Sequence, residues 1–380
     1  MKRKNLLDES KTQNMRAPKK QNLPSIKFQV EHLDPFGQGV HKDGKTITFI
    51  AGVLPGETGT AKVYKRSKGV QFALLDSLET SSSERISPDC PHFDQCPGCQ
   101  YQHTRYENEL GYKQAALLRH LADIKAEQLT IHAAPARLAY RNRIQLHYRH
   151  KYIGMLDGAR DTIVEVPHCK IIKKELREEF DKLYHQDDWR EEHVGRGHCE
   201  IYLQDGEVQM NWNTAYAEGG FTQVYPEMNA CLKDVLGSAF AGKKIDSVLD
   251  LFSGAGNLSE DLDVGKRILV DSYRSEKVVS DNFVSLDLFS EDALSAFSRK
   301  FKKTSFDALL IDPPRKGFPD LDKWLRRIKP KYLFYVSCNP ASLARDLGSL
   351  SQRYKTEQVH LLDFFPATSH FETLVCIRFK

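Results

Sequence analysis

The stretch VLDLFSGAGNLSE, residues 248–260, decides the fold. An unbroken apolar run enters a turn carrying Gly254 and Gly256, and polar residues follow. Continuous apolar runs are the mark of strands buried on both faces, as in a parallel sheet covered by helices. Glycines at the turn let the backbone bend sharply and come close to a ligand. In open sheets of this kind, ligands sit beyond the carboxyl ends of the strands. A dinucleotide fingerprint would place a third glycine at position 259, where this chain has Ser259.

Further apolar runs extend the pattern outward: RILVDS (267–272), FDALLID (306–312), KYLFYVSC (331–338), EQVHLLDFF (357–365) and ETLVCIRF (372–379). They alternate with helical patterns, so residues 221–380 read as a doubly wound parallel sheet. Several runs end on chemically useful groups. Asp271 closes one strand, within reach of ribose hydroxyls, and Asp250 either meets a ligand ammonium group or orients the glycine turn. Asp312-Pro313-Pro314-Arg315 follows another strand, and two prolines fix an extended backbone without amide donors. Cys338 ends a third strand, directly before Asn339-Pro340. Three motifs thus converge on one sheet edge. Glu372 starts an otherwise apolar strand, where a carboxylate is costly unless solvated, paired or used. It is the candidate base, with His370 as competitor.

Upstream the texture differs. Residues 25–80 alternate apolar and polar positions between turn signals at Asp34-Pro35, Gly37, Gly39, Asp43-Gly44 and Pro55-Gly56, which reads as a small barrel. Residues 81–220 hold three clustered cysteines, a helix expected over 107–126, strands in RNRIQLHYRHKYIGML, HCEIYLQ and EVQMNWN, and a charged helix in KKELREEFDKLYHQ. Residues 1–24 are basic, with few large apolar groups, and read as a disordered arm.

The chain has 380 residues, a formal net charge of +4 and 40% hydrophobic residues, an ordinary globular composition. It shows no apolar run of membrane-spanning length and no secretory h-region, so a cytoplasmic protein away from membranes is expected. Its eight cysteines then need an explanation other than structural disulfides. Cys90, Cys96 and Cys99, with the distant Cys169, suggest a metal site. Zinc and an iron–sulfur cluster both accept four cysteines, and three clustered ligands with one remote favour the cluster. Cys199 is a rival fourth ligand.

Together these motifs resemble the RNA (uracil-5-)-methyltransferase family, from about residue 26 to the end. LDPFGQGVHKDGKTITFIAGVLPGE (33–57) is similar to a TRAM domain, an OB-like RNA-binding barrel. CPHFDQCPGCQYQH (90–103) with HCK (168–170) resembles the family's four-cysteine motif, which implies a 4Fe–4S cluster on Cys90, Cys96, Cys99 and Cys169. FTQVYPEMN (221–229) implies Gln223 at the cofactor and uracil site. The glycine turn, the strand ends and the Asp-Pro-Pro motif imply S-adenosyl-L-methionine contacts from Phe252, Asn257, Asp271, Asp287 and Asp312. SCNP and FFPATSHFE match the family's nucleophile and base motifs, implying catalysis by Cys338 and Glu372.

The implied reaction needs a thiolate. Carbon 5 of uracil is too weak a nucleophile to attack a sulfonium methyl group until sulfur has added at carbon 6. The resemblance implies an α/β methyltransferase with a Rossmann-like sheet, an N-terminal barrel and a β-rich central domain. It further implies a monomer acting on RNA, with 23S rRNA favoured over tRNA because a TRAM-like barrel and four cysteines fit the ribosomal members better. Tyr225 stands where the family usually has Asn, Asp271 replaces the usual Glu, and the stretch from Gly256 to Asp287 is short. These departures keep alive a second reading, an RNA-binding protein with a degenerate cofactor site. A nicotinamide-dependent oxidoreductase is the third, disfavoured by Ser259 and the Asp-Pro-Pro-Arg turn.

Overall fold

The structure, a computed structural model, describes residues 24–157, 161–219, 223–272, 282–302 and 304–380. All but the last residue of the arm expected at 1–24 lies outside these, as do Phe221 and Thr222 of the 221–229 motif.

The first sheet holds β1 (Ser25–Gln29), β2 (His32–Leu33), β3 (Gly39–Asp43), β4 (Thr46–Ala51), β5 (Thr58–Ser67) and β6 (Val70–Thr80), in the order β1-β5-β6-β4-β3-β2. Its two edges, β1 and β2, are consecutive pieces of chain separated only by Val30 and Glu31, so the sheet closes on itself. Alternation directs Phe28, Val63 and Ala73 into the barrel, and Tyr101 enters its core from downstream.

The helix expected over 107–126 is α1 (Tyr106–His120), which ends earlier with the Leu121 amide bonded to the Leu117 carbonyl. The next strand, β7 (Leu129–His132), joins the distant catalytic sheet rather than its neighbours. A second sheet of β8 (Arg143–Arg149), β9 (Tyr152–Asp157), β10 (Thr162–Val164), β11 (Arg196–Gln204) and β12 (Glu207–Trp212) is antiparallel throughout, in the order β10-β9-β8-β11-β12. Phe180 and Leu183 of α2 (Arg177–His185) and Trp189 of α3 (Asp188–Glu192) pack against it.

The third sheet is the scaffold of the site. Its elements after β7 are α4 (Pro226–Phe240), β13 (Ser247–Leu251), β14 (Lys266–Asp271), β15 (Phe283–Ser285), α5 (Ala293–Lys300), β16 (Ala308–Ile311), α6 (Leu321–Ile328), β17 (Tyr332–Ser337), α7 (Pro340–Gly348), β18 (Tyr354–Leu362) and β19 (Glu372–Phe379). The order is β15-β14-β13-β16-β17-β19-β18-β7. The expected doubly wound sheet is present, but it is mixed. β15 to β17 run parallel, and β19 runs antiparallel between β17 and β18. Strand alternation sends Leu249 and Leu309 to one face, under α5, α6 and α7, and Val248 and Leu310 to the other, under α4.

One buried charge cluster ties α1 to this sheet. Lys113 Nζ lies 2.7 Å from Glu109 Oε1 and 2.7 Å from Asp363 Oδ1, with all three side chains sealed from solvent. Arg137 reaches the second Glu109 oxygen at 2.9 Å. Removing one partner leaves uncompensated buried charge, which costs about 3–5 kcal/mol. Lys113→Met is expected to lower the melting temperature by on the order of 10 °C, readable by circular dichroism.

Candidate active site

The site is built from four turns at the carboxyl edge of the third sheet. The first is the glycine turn after β13. Phe252 and Gly254 adopt left-handed φ values of 61° and 53°, and Gly256 reaches 95°. A Cβ added at Gly254 would meet nothing within 4 Å, so the turn faces open space. Asp250 is sealed beneath it, accepting a 2.6 Å hydrogen bond from the Ser259 hydroxyl. Of its two expected roles, the structure therefore gives Asp250 the orienting one, and Ser259 earns its place where a dinucleotide fold carries glycine. Asp271 Oδ2 accepts from the Gly254 amide at 2.9 Å.

The other residues expected to contact the cofactor divide. Asn257 makes a reciprocal 2.9 Å amide pair with Asn229 on α4, which anchors the turn to that helix. Asp287 caps its own turn, accepting from the Phe289 amide at 3.0 Å. Phe252 packs edge-on to Phe318 with ring centroids 5.0 Å apart. Gln223 Oε1 is buried with no hydrogen-bond partner among the described residues, so it is free to meet a polar ligand atom. The neighbouring Tyr225 is buried, stacks on Tyr140 at 4.7 Å and bonds the backbone of Ala136. A tyrosine at this position thus serves as core.

The second and third turns lock together. Asn339 caps α7 by accepting from the Ala341 amide, while its Nδ2 donates to the Arg315 carbonyl at 2.9 Å. Gly317, at φ 71°, packs where a Cβ would collide with Asp346 Oδ2 at 2.4 Å. Buried Asp346 accepts from the Phe318 amide and the Tyr335 hydroxyl, both at 2.6 Å. The Asp-Pro-Pro-Arg turn is thereby clamped to the strand–helix junction that carries Cys338.

The fourth turn, 363–371, is held from α1 and the cysteine segment. The Gln100 and Tyr101 amides donate to the Ala367 carbonyl at 2.9 and 3.0 Å. Gln100 Oε1 accepts from the Ser369 amide at 3.1 Å, and Glu109 Oε1 from the Ala367 amide at 2.7 Å. This bracing sets His370 and Glu372 beside Cys338.

Electrostatic coupling shows how near these groups lie. Burial pushes the Cys338 thiol up to about 12, reinforced by negative charge on Glu372 and Asp312 and opposed by Arg315. Burial and then Asp312 hold the Glu372 carboxyl well above the carboxylate range, again against Arg315. Asp312 and Asp250 are both raised to about 7, chiefly by burial. The competing base fares differently. Burial and then Arg315 bring His370 down to about 4, and its Nε2 lies 3.2 Å from Arg315 Nη2. A neutral His370 is an acceptor for that guanidinium. Glu372 is 4% exposed, and its Oε2 has no hydrogen-bond partner among the described residues. The structure thus brings Cys338, Glu372 and Asp312 together and leaves Asp271 and Asp287 at the glycine-turn end. Arg315 was not singled out from the sequence, although a cation directly after a proline-fixed turn was a readable signal.

Cys338, Arg315, Pro340, Ser369, His370 and Phe371 line a cleft of about 340 Å³. Thiolate formation limits attack by a thiol raised this far, and the thiolate fraction grows tenfold per pH unit below its pKa. At subsaturating substrate, kcat/KM is expected to climb with pH from 6.5 to 9, approaching tenfold per unit in initial-rate measurements.

Cys90, Cys96, Cys99 and Cys169 line one apolar cavity of about 430 Å³. Each thiolate would feel the others: Cys96 is raised to about 11 and Cys99 to about 12, by burial and then by neighbouring groups that include the other thiols. Among the described residues, no group of three or more His, Cys, Asp or Glu side chains is arranged to hold a single metal ion. Cys199, the rival ligand, is buried in the core of the second sheet.

The family described as tRNA (Uracil-5-)-methyltransferase matches residues 295–380, the segment carrying both Cys338 and Glu372. The 23S rRNA (uracil(1939)-C(5))-methyltransferase RlmD of Shewanella baltica (strain OS223) is 28% identical, over 93% of this chain and 96% of that protein. Its counterpart in Shewanella halifaxensis is also 28% identical, over 95% and 97%. Along nearly its whole length, this chain is similar to RNA (uracil-5-)-methyltransferases. The fold agrees. The Pyrococcus abyssi tRNA (uracil-54, C5)-methyltransferase, solved with S-adenosyl-L-homocysteine, superposes with a TM-score of 0.69 at 21% identity, over 93% of this chain and 99% of that one. No described helix is long and apolar enough to cross a membrane.

Proposed function

We propose that the protein is an S-adenosyl-L-methionine-dependent RNA methyltransferase that converts uridine to 5-methyluridine, with 23S rRNA as its substrate. The observation that carries this reading is Cys338 in the wall of one cleft, with the buried carboxyls of Glu372 and Asp312 close enough to act on its thiol. The ribosomal relatives, matched over nearly their whole length, favour rRNA over tRNA.

The cofactor fits the glycine turn, which offers open space before Gly254, backbone shaped by Asp271, and Phe252 as an aromatic wall. Asp271 and Asp287 are its proposed polar contacts, and Gln223 supplies an unspent carbonyl. When bound, it supplies an electrophilic methyl group. The chain's own residues do the rest. Sulfur of ionised Cys338 bonds to carbon 6 of a flipped-out uracil, and the ring π electrons move toward oxygen 4. Carbon 5, now nucleophilic, takes the methyl group. Ionised Glu372 then removes the proton from carbon 5, the carbon–sulfur bond breaks, and thiolate is restored. The high proton affinity of Glu372 suits it to that last task. Arg315 steadies the thiolate, aided by the α7 N-terminus on which Cys338 abuts.

For the four cysteines we propose a 4Fe–4S cluster. Tetrahedral zinc needs sulfurs about 3.8 Å apart, given Zn–S bonds of about 2.3 Å. Four thiols that line one apolar cavity suit such a cluster. Its role here is to brace: the cysteine segment carries Gln100, which holds the 367–369 turn. Protein purified without oxygen should contain iron and acid-labile sulfide in equal amounts, and Cys99→Ser should lose both.

The functional test is tritium release from carbon-5-labelled uridine in 23S rRNA fragments and in tRNA. Cofactor-dependent release from the ribosomal fragment, with 5-methyluridine in the digest, is the expected result. Release from tRNA alone would overturn the substrate assignment, and no release from either would favour a non-catalytic RNA-binding protein.

A further inference from the structure

The cleft at Cys338 has one wall from a part of the chain that the chemistry does not use. Pro35 and Phe36, on the β2–β3 turn of the N-terminal barrel, line it together with Arg315, Cys338 and His370. Phe36 is 62% exposed, the highest value among the large aromatic side chains of the described residues.

The turn that presents it is built rather than loose. Asp34, 8% exposed, accepts from the Phe36 and Gln38 amides through one carboxylate oxygen, at 2.9 and 2.7 Å. Its own amide donates to the Gln38 carbonyl at 2.8 Å, and its carbonyl accepts from the Gly37 amide at 3.1 Å. Gly37, at φ 75°, packs so closely on Gln100 and Tyr101 that a Cβ would lie 3.0 Å from Gln100 Cβ. Arg119 of α1 caps the Leu33 carbonyl just before it. Phe36 is therefore held out over the cleft by a turn clamped to the same Gln100 segment that braces the catalytic loop. A fixed aromatic face beside a cation is what unpaired nucleobases stack on.

We infer that Phe36 forms a nucleobase-stacking subsite for the unpaired nucleotide adjoining the target uridine, with Arg315 facing the intervening backbone. The inference rests on the RNA methyltransferase reading. Flipping a uridine out of its loop breaks its stack on the neighbouring base, and Phe36 replaces that lost contact at the cleft's edge. The barrel thereby takes part in substrate positioning at the reacting centre as well as in holding RNA at large.

The test measures binding, so that it stands apart from catalysis. A fluorescent RNA hairpin with one loop uridine is titrated with full-length protein by anisotropy. Parallel hairpins carry an abasic site immediately 5′ or 3′ of that uridine. Phe36→Ala should weaken binding of the intact hairpin about 10- to 100-fold, the scale of one lost base–aromatic stack. Phe36→Trp should bind as wild type does. On one of the two abasic hairpins, Phe36→Ala and wild type should bind equally, since the stacking partner is gone. A Phe36→Ala defect of the same size on all three RNAs, or none on the intact one, overturns the inference, provided that unchanged thermal melts show the variant folded. Wild type that binds the hairpins with this pattern yet releases no tritium would refute the catalytic reading while leaving the subsite standing.

Discussion

Cys338→Ala should abolish methyl transfer, lowering kcat/KM by ~10⁴-fold or more, while RNA and cofactor affinities stay within about threefold of wild type. The size follows from what sulfur alone supplies. Without addition at carbon 6, carbon 5 of uracil lacks the electron density to attack a methyl sulfonium, and no other group in the cleft replaces that step. His370 is neutral and occupied with Arg315, and Glu372 and Asp312 are oxygen bases, poor nucleophiles toward this carbon. The half-buried Cys338 side chain sits between a strand end and a capped helix, so truncation removes one sulfur and leaves the turn's hydrogen bonds intact. Filter binding and single-turnover methylation separate the two effects. A variant that keeps more than a hundredth of wild-type activity would show that the sulfur is not the nucleophile.

Glu372→Gln should give a different signature. Addition and methylation proceed, but removal of the carbon-5 proton stalls, so the RNA–protein adduct accumulates. Turnover should fall ~10²- to 10⁴-fold, the usual contribution of a general base, and a band of RNA-linked protein should persist on denaturing gels. Stability should move the other way. Glu372 sits in sealed core with one carboxylate oxygen unpartnered among the described residues and Asp312 nearby. Its folded pKa is raised, so folding favours the protonated form. That penalty is absent below the unfolded value of about 4.3 and grows as pH rises from there toward the folded value. The neutral amide escapes it, so the melting temperature of Glu372→Gln should exceed that of wild type, by a margin that widens between pH 4 and pH 7. Equal melts across that range would show that the carboxyl is not destabilised where it stands.

What the sequence disclosed and what it hid follow from range. The glycine turn, the Asp-Pro-Pro-Arg turn, the Cys338 junction and the Glu372 strand start are each local: an apolar run that ends on a polar group at a turn. The meeting of the first three was legible because parallel strands deliver their ends to one edge, whereas Glu372, at a strand start, joins them only because β19 runs antiparallel. Contacts across hundreds of residues were not. Nothing near Leu129–His132 says that it will pair with β18, because a short half-apolar strand suits many edges. The antiparallel entry of β19 between β17 and β18 likewise depends on chain path, not on composition. Lys113 looked like one charge on an amphipathic helix, yet its partner Asp363 lies 250 positions away. α1 ends six residues before its expected limit with no glycine or proline to announce it. Phe36 was read only as part of a barrel turn, since its place over the cleft depends on how Gln100 and Tyr101 dock the barrel.

The cysteine motif shows the converse. Three residues close in sequence and one far away do line a single cavity, but the side chains are not set for one metal ion. Which thiols meet was legible, and their arrangement was not.

The central claim is that the Cys338 thiol reaches carbon 6 of a uracil in the same pocket that presents the methyl donor. Replacing the target uridine by 5-fluorouridine tests it most directly, because fluorine blocks the final proton removal and arrests the adduct after methyl transfer. Mass spectrometry of the digested complex should find a peptide containing Cys338 linked to a methylated fluorouridine, only when S-adenosyl-L-methionine is present. An adduct on any other residue, or complete turnover without one, would contradict the account.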